Sequence, residues 1–227
     1  MSQRPSLATN GHPFLVRDCA LISLATGVLV QNLREFRDGL LKVPADCIYH
    51  HFWGRLLRPQ FDEPEYNNDF ASWAYWGLHD KPLAERLSMV LPCDYVDQEE
   101  LRQEVVEVVE QRLDETETVP WAHADQRFSF LKSQIVVFDT GLQFEQPMDL
   151  VPYIPTLSTG SIFYHFIDAR RRTSNHSDDF SAWLGTFGQD YEPLQQRLAG
   201  IDPYFSSLKE IRQIVTTTFQ TFLEGRE

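Results

Sequence analysis

The sequence predicts an α+β protein, mainly α, formed by internal duplication of a unit of one strand followed by four or five helices. Its two opening strands are expected to pair in a small antiparallel ribbon, giving one pseudo-two-fold domain over residues 1–227. Three observations predict this. Sliding the chain against itself by 114 positions sets Phe14 on Phe128, Thr26-Gly27 on Thr140-Gly141, Ile48 on Ile162, His51 on His165 and Phe52 on Phe166. Within each copy the hydrophobic period then changes in the same order, from strand-like to helical. Finally, a lone strand in each copy cannot leave its backbone N–H and C=O groups unpaired, so the economical partner for one opening strand is the other.

The repeats run from about 14 to 113 and from about 128 to 224, with the polar segment 114–127 as linker. FLVRDCALIS and FSFLKSQIVV are rich in β-branched and aromatic residues and open the two copies as strands, each read as stopped by its Thr-Gly. Next, NLREFRDGLLKV places Leu33, Phe36, Leu40 and Leu41 on one helical face. Its partner EQPMDLVPYIPTL carries Pro147, Pro152 and Pro155 and should be broken, since an interior proline costs about 3 kcal/mol in a helix. In ADCIYHHFWGRLLR, the residues Ile48, His51, Phe52, Arg55 and Leu56 follow helical spacing, so His51 shares the buried stripe while Tyr49 and His50 fall off it. The matching word IFYHF puts Phe163 and Tyr164 off the stripe of the second copy. Asn68 and Asp178 are placed as N-caps of DFASWAYW and DFSAWLGTF. ELRQEV and EIRQIV then open a last amphipathic helix in each copy.

A hydrophobic fraction of 42% suffices for a packed core in 227 residues. The formal charge of -13 disfavours an electrostatic grip on nucleic acid or anionic lipid, so neither is expected as a partner. Cys19, Cys47 and Cys93 lie far apart with no C-x-x-C spacing, which suggests neither a zinc ribbon nor a disulfide framework and fits a reducing compartment. No segment has the ~18 apolar residues of a membrane span and the amino terminus lacks an apolar signal region, so the expected location is cytoplasmic.

The strand ending in TG, IYHHF or IFYHF, NDFASW or DDFSAW, and LAERLSMV or LQQRLAGI followed by a proline and ELRQEV together resemble an uncharacterised bacterial and archaeal family, domain of unknown function 5752. The resemblance covers essentially the whole chain, including the duplication. It implies no established activity, only an association with neighbourhoods of carbohydrate-active genes. The family pattern has a cleaner helix where this chain carries Pro147, Pro152 and Pro155.

Candidate chemistry is sparse. Phosphate-binding, nucleophile-elbow, dinucleotide and metalloprotease motifs are all missing. His50 and His51 are adjacent, about 100° apart on a helix, so no metal and no cofactor is expected. His51 with Asp69, and His165 with Asp179, are candidate acid–base pairs, against the plainer reading of core histidines bonded to the carboxylate of the next helix. Residues kept in both copies are most simply those each copy needs to fold. The differing letters His50 and Tyr164, the first-copy surplus Tyr75 and Trp76 beside the acidic loop 59–68, and Arg170 and Arg171 of the basic run are therefore the candidates for binding a ligand or partner. For the run Arg170–Arg172 the plain reading is a solvated helix end. The leading expectation is a non-enzymatic binding or regulatory module for a protein or small molecule. The alternatives are an enzyme using a His/Asp pair, with carbohydrate as the substrate class considered, and a structural subunit of a homo-oligomer.

Overall fold

The computed structural model describes residues 12–58, 65–95, 97–115, 123–173 and 175–225. Parts of the linker (116–122) and of the acidic loop (59–64) lie outside the described residues, as does the amino-terminal segment 1–11 read for a signal. The fold is mainly helical α+β, 59% helix and 17% strand, with a two-stranded antiparallel sheet. Among the described residues no helix is long and apolar enough to cross a membrane.

In chain order the elements are β1 (Phe14–Val30), α1 (Leu33–Lys42), α2 (Ala45–Trp53) with a 3₁₀ turn at Gly54–Leu57, α3 (Asp69–Trp76), α4 (Lys81–Ser88) and α5 (Gln98–Glu115). They continue with β2 (Phe128–Phe144), α6 (Pro147–Leu150), α7 (Thr159–Ile162), a π-helical turn at Phe163–Asp168, α8 (Ala169–Arg172), α9 (Asp179–Leu184), α10 (Glu192–Ala199) and α11 (Leu208–Glu224). Asn32, Asn68, Asp80, Asp178 and Ser207 cap their helices by accepting from a backbone N–H two or three residues into the helix. The proline-rich segment 147–156 makes one α-turn and one 3₁₀ turn, as its prolines require.

The strands differ from the sequence expectation in length, because Thr-Gly does not stop them: each runs 17 residues through it. Gly27 and Gly141 have φ of 81° and 74°, the left-handed region that glycine reaches without a Cβ clash. At each, the preceding threonine satisfies the interrupted ladder. Thr26 Oγ1 donates to Phe130 O (2.7 Å) and accepts from Val28 N–H, while Thr140 Oγ1 donates to Val16 O (2.7 Å) and accepts from Leu142 N–H. This is a bulge, a bend that leaves the pairing to resume beyond it.

The chain divides into two compact units, Leu21–Val136 and Met1–Ala20 with Val137–Glu227. Each takes the opening of one strand from far along the chain. In Leu21–Val136, Phe128 and Phe130 of β2 pack on Phe36 of α1 at 5.4 and 5.7 Å, and Phe128 on Phe70 and Trp73 of α3 at 5.6 and 5.5 Å. In the other unit, Phe14 of β1 packs on Phe180 and Trp183 of α9 at 5.1 and 5.2 Å. The helices following a strand in sequence thus take their aromatic plug from the opposite strand.

Close approach of α7 to β1 in this second unit depends on Gly160. A Cβ there would overlap the Asp18 carboxylate and the Cys19 carbonyl, and Gly160 O accepts from Cys19 Sγ at 3.3 Å. Gly160→Ala is expected to lower unfolding free energy by about 1–3 kcal/mol, the usual cost of overpacking, in urea titration. A loss within about 0.5 kcal/mol would show that the strand and helix can part freely.

Candidate functional site

In Leu21–Val136, Asn68 starts α3 so that Asp69 stands in its first turn, opposite α2. Asp69 Oδ2 is 2.9 Å from His51 Nδ1, and His51 Nε2 is 3.1 Å from the backbone nitrogen of Leu131 in β2. A backbone N–H can only donate, so Nε2 carries the lone pair and Nδ1–H donates to the carboxylate. The ring ties strand to two helices as a neutral base beside an anion. Burial holds the His51 ring below its ordinary pKa against the pull of Asp69. Burial also works to raise the Asp69 carboxyl, but the bond from His51 and nearby cations outweigh it and keep it below the usual range.

His50 differs from its expected place. It is fully buried, and 47–53 are all buried, because α2 beyond its first turn is enclosed and its off-stripe positions have no solvent to face. Arg58 Nη2 donates to His50 Nε2 at 2.7 Å, which leaves Nδ1–H to donate to Ser133 Oγ at 2.6 Å. Burial, with help from His51 and the Arg58 charge, pushes the His50 ring down to about 4. His50, His51 and Asp69 do bring one potential ligand atom each within 4.8 Å of one another. Both nitrogens of each ring are already bonded, however, and an ion there would meet the Arg58 guanidinium, so the donor set does not fit a metal.

In the other unit the same bonds recur: Arg17 N–H donates to His165 Nε2 (2.8 Å), and His165 Nδ1–H to Asp179 Oδ2 (2.8 Å). Here the helix is wound one residue wider, as the π-turn Phe163–Asp168. Tyr164 is half-buried beneath Arg172, whose guanidinium carbon lies 3.9 Å from the ring centroid. Arg172 also bonds Asp179 Oδ2 (3.0 Å) and Asp168 Oδ2 (3.0 Å), and Arg171 bonds Asp168 Oδ1. Arg171 and Arg172 thus stand exposed at the helix end, as the solvated reading has it, and are at the same time paired with the buried Asp168.

Among the described residues, each unit holds a cleft of its own. One, about 390 Å³, is lined by Arg170, His176, Asp178, Ser181, Glu192 and Gln195 among others. Burial raises the Asp178 carboxyl, which accepts from Ser181 N–H and Oγ–H, and His176 at the rim has a φ of 53°. The other, about 500 Å³, lies in Leu21–Val136, where Asp69, Arg55, Arg58, Arg127, Trp73 and Trp76 are in its wall. Trp76 is 62% exposed. Tyr75 instead packs on Tyr66 (5.4 Å) and braces Trp76 edge-on (4.8 Å). Of the residues singled out in the sequence, this cleft gathers His51, Asp69 and Trp76, while His50, Tyr75, Tyr164, Arg170 and Arg171 lie elsewhere. Arg58, Arg127 and Asp178 were missed. Only the capping position of Asp178 gave any signal.

A search of curated proteins returns no match. Among solved structures the chain is similar to OrfY from Thermoproteus tenax, with 26% identity, a TM-score of 0.80, and coverage of 92% of this chain and 95% of that one. Residues 11–220 match the model of the Family of unknown function (DUF5752), and the chain belongs to that family.

Proposed function

We propose that the protein is a non-enzymatic ligand-binding module whose ligand sits in the cleft of Leu21–Val136. The observation that carries this reading is a 500 Å³ cleft, of small-ligand size, with Trp76 62% exposed in its wall. Large exposed aromatics in a concave wall supply contact area with little conformational cost. The binding reading is supported over acid–base chemistry by the histidines themselves: each ring of the two His/Asp pairs uses one nitrogen on a backbone amide and the other on the carboxylate. A proton carrier needs a nitrogen that can reach a substrate. The duplication is part of this proposal, with the His/Asp clamp as the element each copy needs to fold and the cleft as what the first copy adds.

Trp76→Ala tests it. A metabolite set screened by thermal shift is expected to yield a binder, and the substitution is expected to weaken that binder by about tenfold, or about 1.4 kcal/mol, with unfolding midpoint unchanged. If no compound shifts the native protein, or if Trp76→Ala binds as tightly, the cleft is not the site.

A further inference from the structure

We infer that the cleft beside α9 is a second binding site, independent of the one proposed above, and that it takes a small zwitterion, with the ammonium on Asp178 and the carboxylate on Arg170 as in a free amino acid. Its wall differs in kind from that of the Trp76 cleft: every lining residue except Ala199 has a polar side chain, and none is Phe, Tyr or Trp. Asp178 sets the chemistry. It is 2% exposed, and its carboxylate receives the N–H and Oγ–H of Ser181 at 2.8 and 2.7 Å. A carboxylate can accept about four hydrogen bonds, and a buried one ordinarily has a cation beside it. Among the described residues none is in ion-pair reach of Asp178, and Arg170 acts on it only from farther away. Capping does not require that charge. At the same place on α3, Asn68 caps with an oxygen that accepts from Ala71 N–H (2.8 Å), and its amide donates to Leu87 O (3.0 Å), so the fold meets it on both sides. Asparagine and aspartate cap about equally well, yet α9 carries the charged one in the wall of a cavity.

Arg170 lines the same cavity with its guanidinium over the Phe166 ring at 5.2 Å and a long bond to Ile201 O at 3.4 Å. Each of the two opposite charges is thus held by neutral groups, and they do not close on each other as an ion pair. A zwitterion placed between them satisfies both, where a simple anion or cation would satisfy one and meet repulsion from the other. Glu192 in the same wall supplies a second carboxylate for an ammonium, which has three N–H groups to place. The rim loop is fixed. His176 donates Nδ1–H to Arg170 O (3.1 Å), and Thr173 Oγ1–H donates to Ser177 O (2.7 Å). The φ of 53° at His176 is left-handed, a strained backbone of the kind that gathers at ligand clamps.

The test is thermal shift of the full chain with each of the common amino acids, followed by isothermal titration of the best binder, its N-acetyl derivative and its carboxamide. An amino acid is expected to bind, and each derivative, having lost one of the two charges, to bind at least about tenfold more weakly. The derivatives probe the two charges on the unaltered protein. Asp178→Asn keeps the cap, so its unfolding midpoint should hold or rise while affinity falls about tenfold. Arg170→Ala should bind the amino acid no better than the parent binds the carboxamide, and Trp76→Ala should change nothing. If no amino acid binds, or if both derivatives bind as tightly as the amino acid itself, the zwitterion inference is wrong. Binding that survives Asp178→Asn also overturns it, and where that binding is lost in Trp76→Ala the ligand sits in the other cleft and the binding reading above stands.

Discussion

His51→Phe is expected to cost about 3 kcal/mol of unfolding free energy, more than loss of an ordinary core contact of similar volume. Phenylalanine fills the imidazole's space among Phe70, Phe128 and Phe130, whose rings lie 5.1, 4.7 and 6.0 Å away, so packing is largely kept. What disappears is the hydrogen bonding on both sides of the ring. The Leu131 N–H loses its acceptor, and the Asp69 carboxylate loses its donor while remaining partly desolvated. Asp69→Asn should cost less, about 1 kcal/mol, because its amide oxygen can still accept from Nδ1–H. Urea titration gives the free energies, and amide exchange at Leu131 identifies the cause: it should speed up selectively in His51→Phe. A variant as stable as the parent, with the Leu131 amide still protected, would show that the clamp holds nothing.

The clamp was half legible in the sequence. Spacing on α2 put His51 on the core stripe, and the position after Asn68 put Asp69 in a first turn, so their pairing followed from two local rules. The strand amide that completes it did not, because β2 reaches α2 across 80 residues of sequence and register is set by a ribbon that pattern alone cannot align. The same blindness made Thr-Gly look like a stop. A glycine after a polar residue reads as a turn unless one knows that the opposite strand offers a carbonyl for the threonine hydroxyl. His50 shows a different failure: periodicity finds the face a helix buries first, and it cannot see that α2 is covered all round from Cys47 onward. The cleft was least legible. Trp76 was visible as a surplus aromatic, but Arg58 and Arg127 belong to no motif, and only the folded chain brings them to the wall that Trp76 shares.

A second large effect concerns pH. The His50 ring titrates near 6.5 in an unfolded chain and at about 4 in the native one, so between those values the unfolded state binds the extra proton. Stability should therefore fall as pH drops through that window, by up to about 3 kcal/mol for this ring once pH is below about 4, and be unaffected by it above about 7. The groups facing His50 set the sign. Arg58 donates to its Nε2 and can accept no proton back, His51 adds a second ring held neutral, and only Asp69 favours the charged form. His51, also depressed, contributes in the same direction. Asp178 opposes them, since its raised carboxyl makes the native state the tighter proton binder above 3.8. Urea titrations from about pH 7.5 to about pH 4.5 should give a positive slope of stability with pH, and His50→Gln, which cannot titrate, should remove about one proton from it. An unchanged slope would mean that Arg58 swings away and lets the ring charge in place, so the guanidinium would then be mobile in the cleft it lines.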